Sequence, residues 1–332
     1  MGGMDHGTAG MPSTIGIADI TYDALFVVNG EANSISVINT SSNEVVGTIA
    51  MKNASFPHHV NLSPDMRSLV VAVPGYDLSG GHGGGHSGAS MGAILKLDAI
   101  TGETKAARRL DGPNHNGIFS SDGKEIWTSQ MTMPGKVLVL DASSLAIKQT
   151  ITVGDMPAEV TFSRDGKYAF VANGMSNDVS VIEAATKAVV KTIPVEANPV
   201  GAWPGSDGVM YVDNEAAKTL TAIDSTSLQV IRTYQLGFTP GMAATAPNGE
   251  LWVTDAQNGK LVFFSTTTAA MLGELVTAAG AHAIAFSADG TTAYVSNQAA
   301  GSVSVINLAS RAITKTIAVG TKPNGMLFRS KP

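Results

Sequence analysis

Cysteine is missing from the whole 332-residue chain. That excludes disulfides, thiolate-held zinc and thiol nucleophiles outright. Charge is sparse as well. Asp, Glu, Lys and Arg make up 14% of residues and the balance is −6, which argues against nucleic acid, whose backbone is bound by Lys and Arg. No apolar run reaches the about 20 residues of a membrane helix, so no transmembrane segment is expected. Also missing are a G-x-S-x-G elbow, a P-loop and a G-x-G-x-x-G opening a helix. The glycine tract at 80–85 is followed by neither a lysine nor a helical pattern. Met1 to His6 lack the basic start and apolar stretch of an export leader.

What the chain has is turns and short apolar runs, with 36 glycines and 44% hydrophobic residues. In residues 156–192, AEVTFS and YAFVAN flank an Asp165-Gly166 turn, the strongest short hairpin signal. VSVIEA and AVVKTI follow. Four antiparallel strands in about forty residues form a propeller blade. The hairpin position recurs at Thr21, Asp65, Asp122, Asp165, Asp207, Asn248 and Asp289, spaced 41 to 44 residues apart except for 57 between Asp65 and Asp122. Third strands recur as ISVIN, AILKLD, VLVLD, VSVIE, LTAID, LVFFS and VSVIN. The expected fold is all-β: a seven-bladed propeller of four-stranded antiparallel blades, with Asn324–Arg329 closing the ring on blade one. Residues 15–332 are expected to form this single domain, after a flexible tail over 1–14, and IGIADI (15–20) is expected to add to the first blade. A monomer is expected.

The second strands FVVN (26–29), FVAN (170–173), YVDN (211–214) and YVSN (294–297), with VSVI and KTI downstream, resemble the YVTN family of seven-bladed propellers. The resemblance covers residues 20–329 and implies the fold. It implies little about function, since such scaffolds carry unrelated activities.

Seven positions before each turn residue, the chain enters the innermost strand at the mouth of the central channel. That column reads His58, His115, Ala158, Val200, Gly241 and His282, with Asn324 in the closing copy. Three of the seven histidines thus occupy blades two, three and seven, and with Asn324 of blade one they take up consecutive blades of the ring. Imidazoles converging there suit zinc, copper, nickel or iron. The bland alternative is that each histidine merely hydrogen-bonds a neighbouring loop. Counted from Pro113 rather than from Asp122, His115 would instead match His59. The next column adds His59, as a further ligand, with Glu159 to orient an imidazole or act as a base, and Met242.

The long spacing in blade two reflects an inserted Gly/His-rich loop, residues 75–92, carrying His82 and His86. The same face should carry Met131, Met133 and Met175, with Met91 in the loop and Met4, His6 and Met11 in the tail. Thioether beside imidazole selects copper over zinc. The expected function is therefore that of an exported, periplasmic or extracellular, metal-binding propeller. Copper is the expected ion and zinc the alternative. His58, His59, His115 and His282 form the site, with His82, His86, Met4, His6, Met131 and Met133 auxiliary, in metal handling or redox chemistry. Nitrous oxide reductase offers an analogy for histidines gathering copper at a propeller mouth. Two alternatives stand beside it. YVTN copies are similar to the haem d1 domains of nitrite reductases, which implies a tetrapyrrole; a metal-free scaffold would use a propeller face for a protein partner.

Overall fold

The computed structural model describes residues 10–79 and 91–332. Second and third strands such as Ala24–Asn29 and Asp178–Glu183 are apolar on both parities, not alternating, and nearly every residue in them is buried. A strand needs apolar side chains on both faces only if both faces are covered. Here they are covered by the neighbouring blades. Seven four-strand sheets, blade 1 with one strand more, stand in a ring, and among the described residues seven apolar clusters fill the seven gaps between them. Phe26 packs toward blade 2 while its neighbours Leu25 and Val27 pack toward blade 7. No helix occurs among the described residues.

The ring closes as the sequence predicts. The C-terminal strand Pro323–Arg329 is the innermost strand of blade 1 and pairs antiparallel with Ala24–Asn29. The addition at the start of the chain differs from expectation. Ser13–Ile15, partly read as tail, pairs with the outer strand Glu44–Lys52 as a fifth strand. Residues 17–20 run on to blade 2 instead, where Ile17 and Ile20 donate backbone hydrogen bonds to Thr101 and Ile100. Ile20 is fully buried in the gap between blades 1 and 2.

Two recurrent side-chain devices between them brace six of the seven blades. In blades 1, 4, 5 and 7 the last residue of the second strand is a buried asparagine (Asn29, Asn173, Asn214, Asn297). Its amide donates to side-chain oxygens five and seven residues on: Ser34 and Ser36, Asp178 and Ser180, Thr219 and Thr221, Ser302 and Ser304. The hairpin to the third strand is thereby clamped from inside. Blade 2 has Val73 there, and blade 2 is the one that accepts the long insertion. At the opposite end, Ser63, Ser120, Ser163 and Ser287 each donate to the turn aspartate two residues on, at 2.6–2.7 Å. Those hydrogen bonds, with backbone N–H donors next in rank, hold Asp65, Asp122, Asp165 and Asp289 below the usual carboxylate range.

Arg329 fastens the closing strand. Its buried guanidinium donates to the carbonyls of Ile20 and Ala99 and lies over the Phe26 ring, so one side chain ties the C-terminal strand to the entry segment and to blade 2. Burial pulls its pKa down. Removing the guanidinium strands two carbonyls in an apolar gap. Arg329→Ala is therefore expected to lower stability by about 2–4 kcal/mol, read as a fall in the urea midpoint; an unchanged midpoint would show that the seam holds without it. The turn aspartates give a second expectation. Their folded pKa values lie below the unfolded value of about 3.9, so their contribution is full above that pH and is lost as pH falls through the folded values. The urea midpoint should hold between pH 7 and 5 and drop at pH 3, with a smaller drop once the four serines are replaced by alanine.

Candidate metal centre

In five of the seven blades the innermost strand slips register just after it enters the sheet. Pro157 pairs with Asn173 but Val160 pairs with Val171, so Ala158 and Glu159 together face Ala172. The same two-against-one slip occurs at 200–201, 241–242, 282–283 and 324–325. In blade 2, Ala72 bonds both His58 and His59 through its backbone. These are β-bulges, which re-aim side chains beside functional sites. The two columns read from the sequence are the two bulge residues of these six blades, and in blade 2 consecutive side chains leave the strand toward the same place: the rings of His58 and His59 sit 4.5 Å apart, edge to face.

The register of His115 is also settled. Met131 N–H donates to Pro113 O, as Gly174 N–H does to Met156 O and Gly30 N–H to Lys322 O. Pro113 thus occupies the position before the usual proline, and His115 falls in the His58 column, as counting from Asp122 gave. Its ring lies 4.6 Å from that of His58 and 5.0 Å from that of His59. One ring nitrogen from each of the three lies within 4.8 Å of the others. Three imidazoles on one tetrahedral ion, with bonds of 2.0–2.1 Å, put their ring centres about 5 Å apart, so the observed separations need only small rotations. All three are buried: 2%, 9% and 2% exposed for His58, His59 and His115.

Glu159, equally buried at 2%, joins two of the rings. Its Oε1 lies 3.0 Å from His115 Nδ1 and 3.1 Å from His59 Nε2. With a proton on each of those nitrogens, the carboxylate fixes both rings and leaves Nε2 of His115 and Nδ1 of His59 as the lone-pair atoms. It also supplies the negative charge that a buried cation needs nearby. Gly325 leaves room for this. A Cβ there would stand 2.8 Å from His59 Nδ1 and 2.9 Å from the His58 carbonyl, while its N–H donates to that carbonyl across the blade 1–blade 2 seam.

His282 stands one step outside the trio, its ring 5.8 Å from His58 and 6.4 Å from His59, and is half-buried. On one side of the histidines the channel widens into a cavity of about 220 Å3 lined by His59, Glu159, Trp203 and Met242 among others. Trp203 was not singled out in the sequence. Its ring lies 6.2 Å from His59 and its indole N–H donates to buried Asp213 at 2.6 Å. Asn116, in the Glu159 column, spends its side chain on the backbone of Val160 in the next blade. At the mouth the beginning of the inserted loop crosses between blades. Tyr76 O–H meets Met131 Sδ at 3.9 Å, and Asp77 pairs with Lys322. Burial raises the pKa of Asp77, but hydrogen bonds from Lys322 and Ser79 outweigh it and the net shift is downward.

Of the auxiliary residues, Met131 is buried while Met133, Met175, Met91 and Met11 are exposed. His82, His86, Met4 and His6 lie outside the described residues.

No family profile and no curated protein matches this chain. Solved structures do. The Pseudomonas aeruginosa periplasmic gluconolactonase PpgL is 19% identical over 93% of this chain and 99% of its own, with a TM-score of 0.75. A functionally unknown protein from Desulfotomaculum acetoxidans is 12% identical over the same 93% and 99%, with the same TM-score. The dihydro-haem d1 dehydrogenase NirN, in complex with DHE, is 14% identical over 95% of this chain and 79% of its own, with a TM-score of 0.66. At these identities the likeness is one of fold: the seven-bladed β-propeller.

Proposed function

We propose that this chain is a metal-binding propeller of the YVTN type that holds copper at His58, His59 and His115, for metal handling or redox chemistry outside the cytoplasm. The observation that carries the reading is the buried trio of imidazoles, drawn from two blades and backed by a carboxylate that touches two of them. A structural histidine needs only one loop partner; three with ring centres 4.5–5.0 Å apart bring one nitrogen each within reach of a single ion. The donors are nitrogen and oxygen, which admits zinc and copper alike. Copper is favoured by the Met242 thioether lining the same cavity as His59 and Glu159, and by Met131 at the mouth. The name of PpgL as a periplasmic protein is in keeping with export.

The likeness to NirN, solved with DHE, supports a second reading, a tetrapyrrole in the channel. Volume favours the ion. Ligand pockets run from about 300 to 1,000 Å3 and a macrocycle belongs toward the upper end, whereas the two cavities beside the histidines hold about 220 and about 360 Å3.

Protein stripped with chelator and titrated with Cu(II) is expected to bind one ion per chain, and His115→Ala should lose affinity by more than the about 10–100-fold typical of removing an outer partner. Equal copper content in wild type and His115→Ala would end the proposal, and a Soret band in purified protein would move it to the tetrapyrrole. Glu159→Gln keeps the shape but removes the charge and one of two equivalent acceptor oxygens. Its expected effect is a loss of about 10–100-fold in copper affinity, measured by competition with a chelator of known strength; unchanged affinity would leave Glu159 a purely structural residue.

A further inference from the structure

The buried trio raises the question of how an ion reaches it. Between the histidines and the outside, on the face of the inserted loop, lies a second cavity of about 360 Å3. His282 lines it, with Glu215, Gln257 and Gln298 around it and Leu78 and Ser79 from the start of the inserted loop. The cavity follows from the bulge column. Where blades 2, 3 and 7 place histidine, blade 6 places Gly241, and among the described residues no side chain fills that part of the mouth.

His282 therefore borders the mouth cavity on one side and the trio on the other. Two imidazoles that share one ion have ring centres at most about 6.4 Å apart, given bonds of 2.0–2.1 Å and about 1.1 Å from nitrogen to ring centre. The His58–His282 separation of 5.8 Å lies within that limit. Imidazole suits divalent transition metals, and the one imidazole lining this cavity holds an incoming ion less tightly than the three clustered rings beyond it.

Resting on the metal reading above, we infer that the mouth cavity is an acceptance subsite for a divalent transition-metal ion, in which His282 takes the ion and passes it to His58 by ligand exchange. The ion keeps its oxidation state throughout. One metal–nitrogen bond to His282 breaks as one to His58 forms, and water or buffer ligands leave through the mouth. His282 is then a residue of the entry path and no part of the final ligand set.

The test is stopped-flow loading of chelator-stripped protein with Cu(II)–glycine, followed by equilibrium competition. Compared are wild type, His282→Gln, and Gln257→Ala as a control on the same cavity wall, with near-UV circular dichroism confirming the fold of each. His282→Gln is expected to slow loading and release alike by tenfold or more, leaving one ion per chain and Kd within threefold. Gln257→Ala should load within twofold of wild type. Loading of His282→Gln at the wild-type rate would overturn the inference alone, and so would equal slowing by Gln257→Ala, which would make cavity shape the cause. Loss of equilibrium binding in His282→Gln would also overturn it, by making His282 a ligand. A wild-type protein that takes up no copper would instead remove the metal reading itself.

Discussion

Every blade of this protein buries its two faces only against the blades on either side, and that single constraint governs the rest. A sheet such as Val209–Asn214 with its neighbours presents apolar side chains in both directions, so an open row of blades would leave two such faces in water. Closure removes them, and closure depends on the last strand returning to the first sheet. Arg329 and the Gly325–His58 hydrogen bond sit at this seam. The same residues that finish the fold therefore also finish the wall of the channel beside His58 and His59.

A ring of blades with their innermost strands facing a common axis concentrates side chains that are far apart in sequence. The bulge at the entrance of the innermost strand adds to this, because it sends two successive residues of one strand into the mouth. Blade 2 uses both positions for histidine, blade 3 one for histidine, and blade 4 one for glutamate. Across the ring the corresponding positions are Val200, Gly201, Gly241 and Met242. The asymmetry is one of chemistry. Donors crowd one arc, and small or apolar residues stand on the other, where the mouth cavity opens.

The blades are not equally braced. Four carry the asparagine clamp on their second hairpin, and blades 3 and 6 carry a different device at the outer end. There Glu125 and Glu250 each accept from the indole of Trp127 or Trp252 and pair with Lys187 or Arg311 of the next blade. Blade 2 has neither device, and it is the blade that holds two of the three clustered histidines and begins the loop across the mouth. A hairpin without an internal clamp tolerates a long connection, since loop length adds only slowly to closure entropy.

Much of this was legible in the chain itself. The seven-fold recurrence of the hairpin-turn position, Asp-Gly in four copies, and of third strands such as VSVI determined the blade count, because a local pattern repeated at a fixed spacing has few architectures to satisfy. The composition determined which chemistries are absent, and the column arithmetic placed His58, His115 and His282 at one mouth. Tertiary structure decided the remainder. Strand alternation says that neighbours such as His58 and His59 point to opposite faces, and only the bulge, a departure from alternation, lets them meet. The salt-bridge distances to Glu159, the room left by Gly325 and the outward position of His282 all arise from contacts between different blades. Those contacts depend on how far one sheet stands from the next, a quantity that no single stretch of sequence encodes.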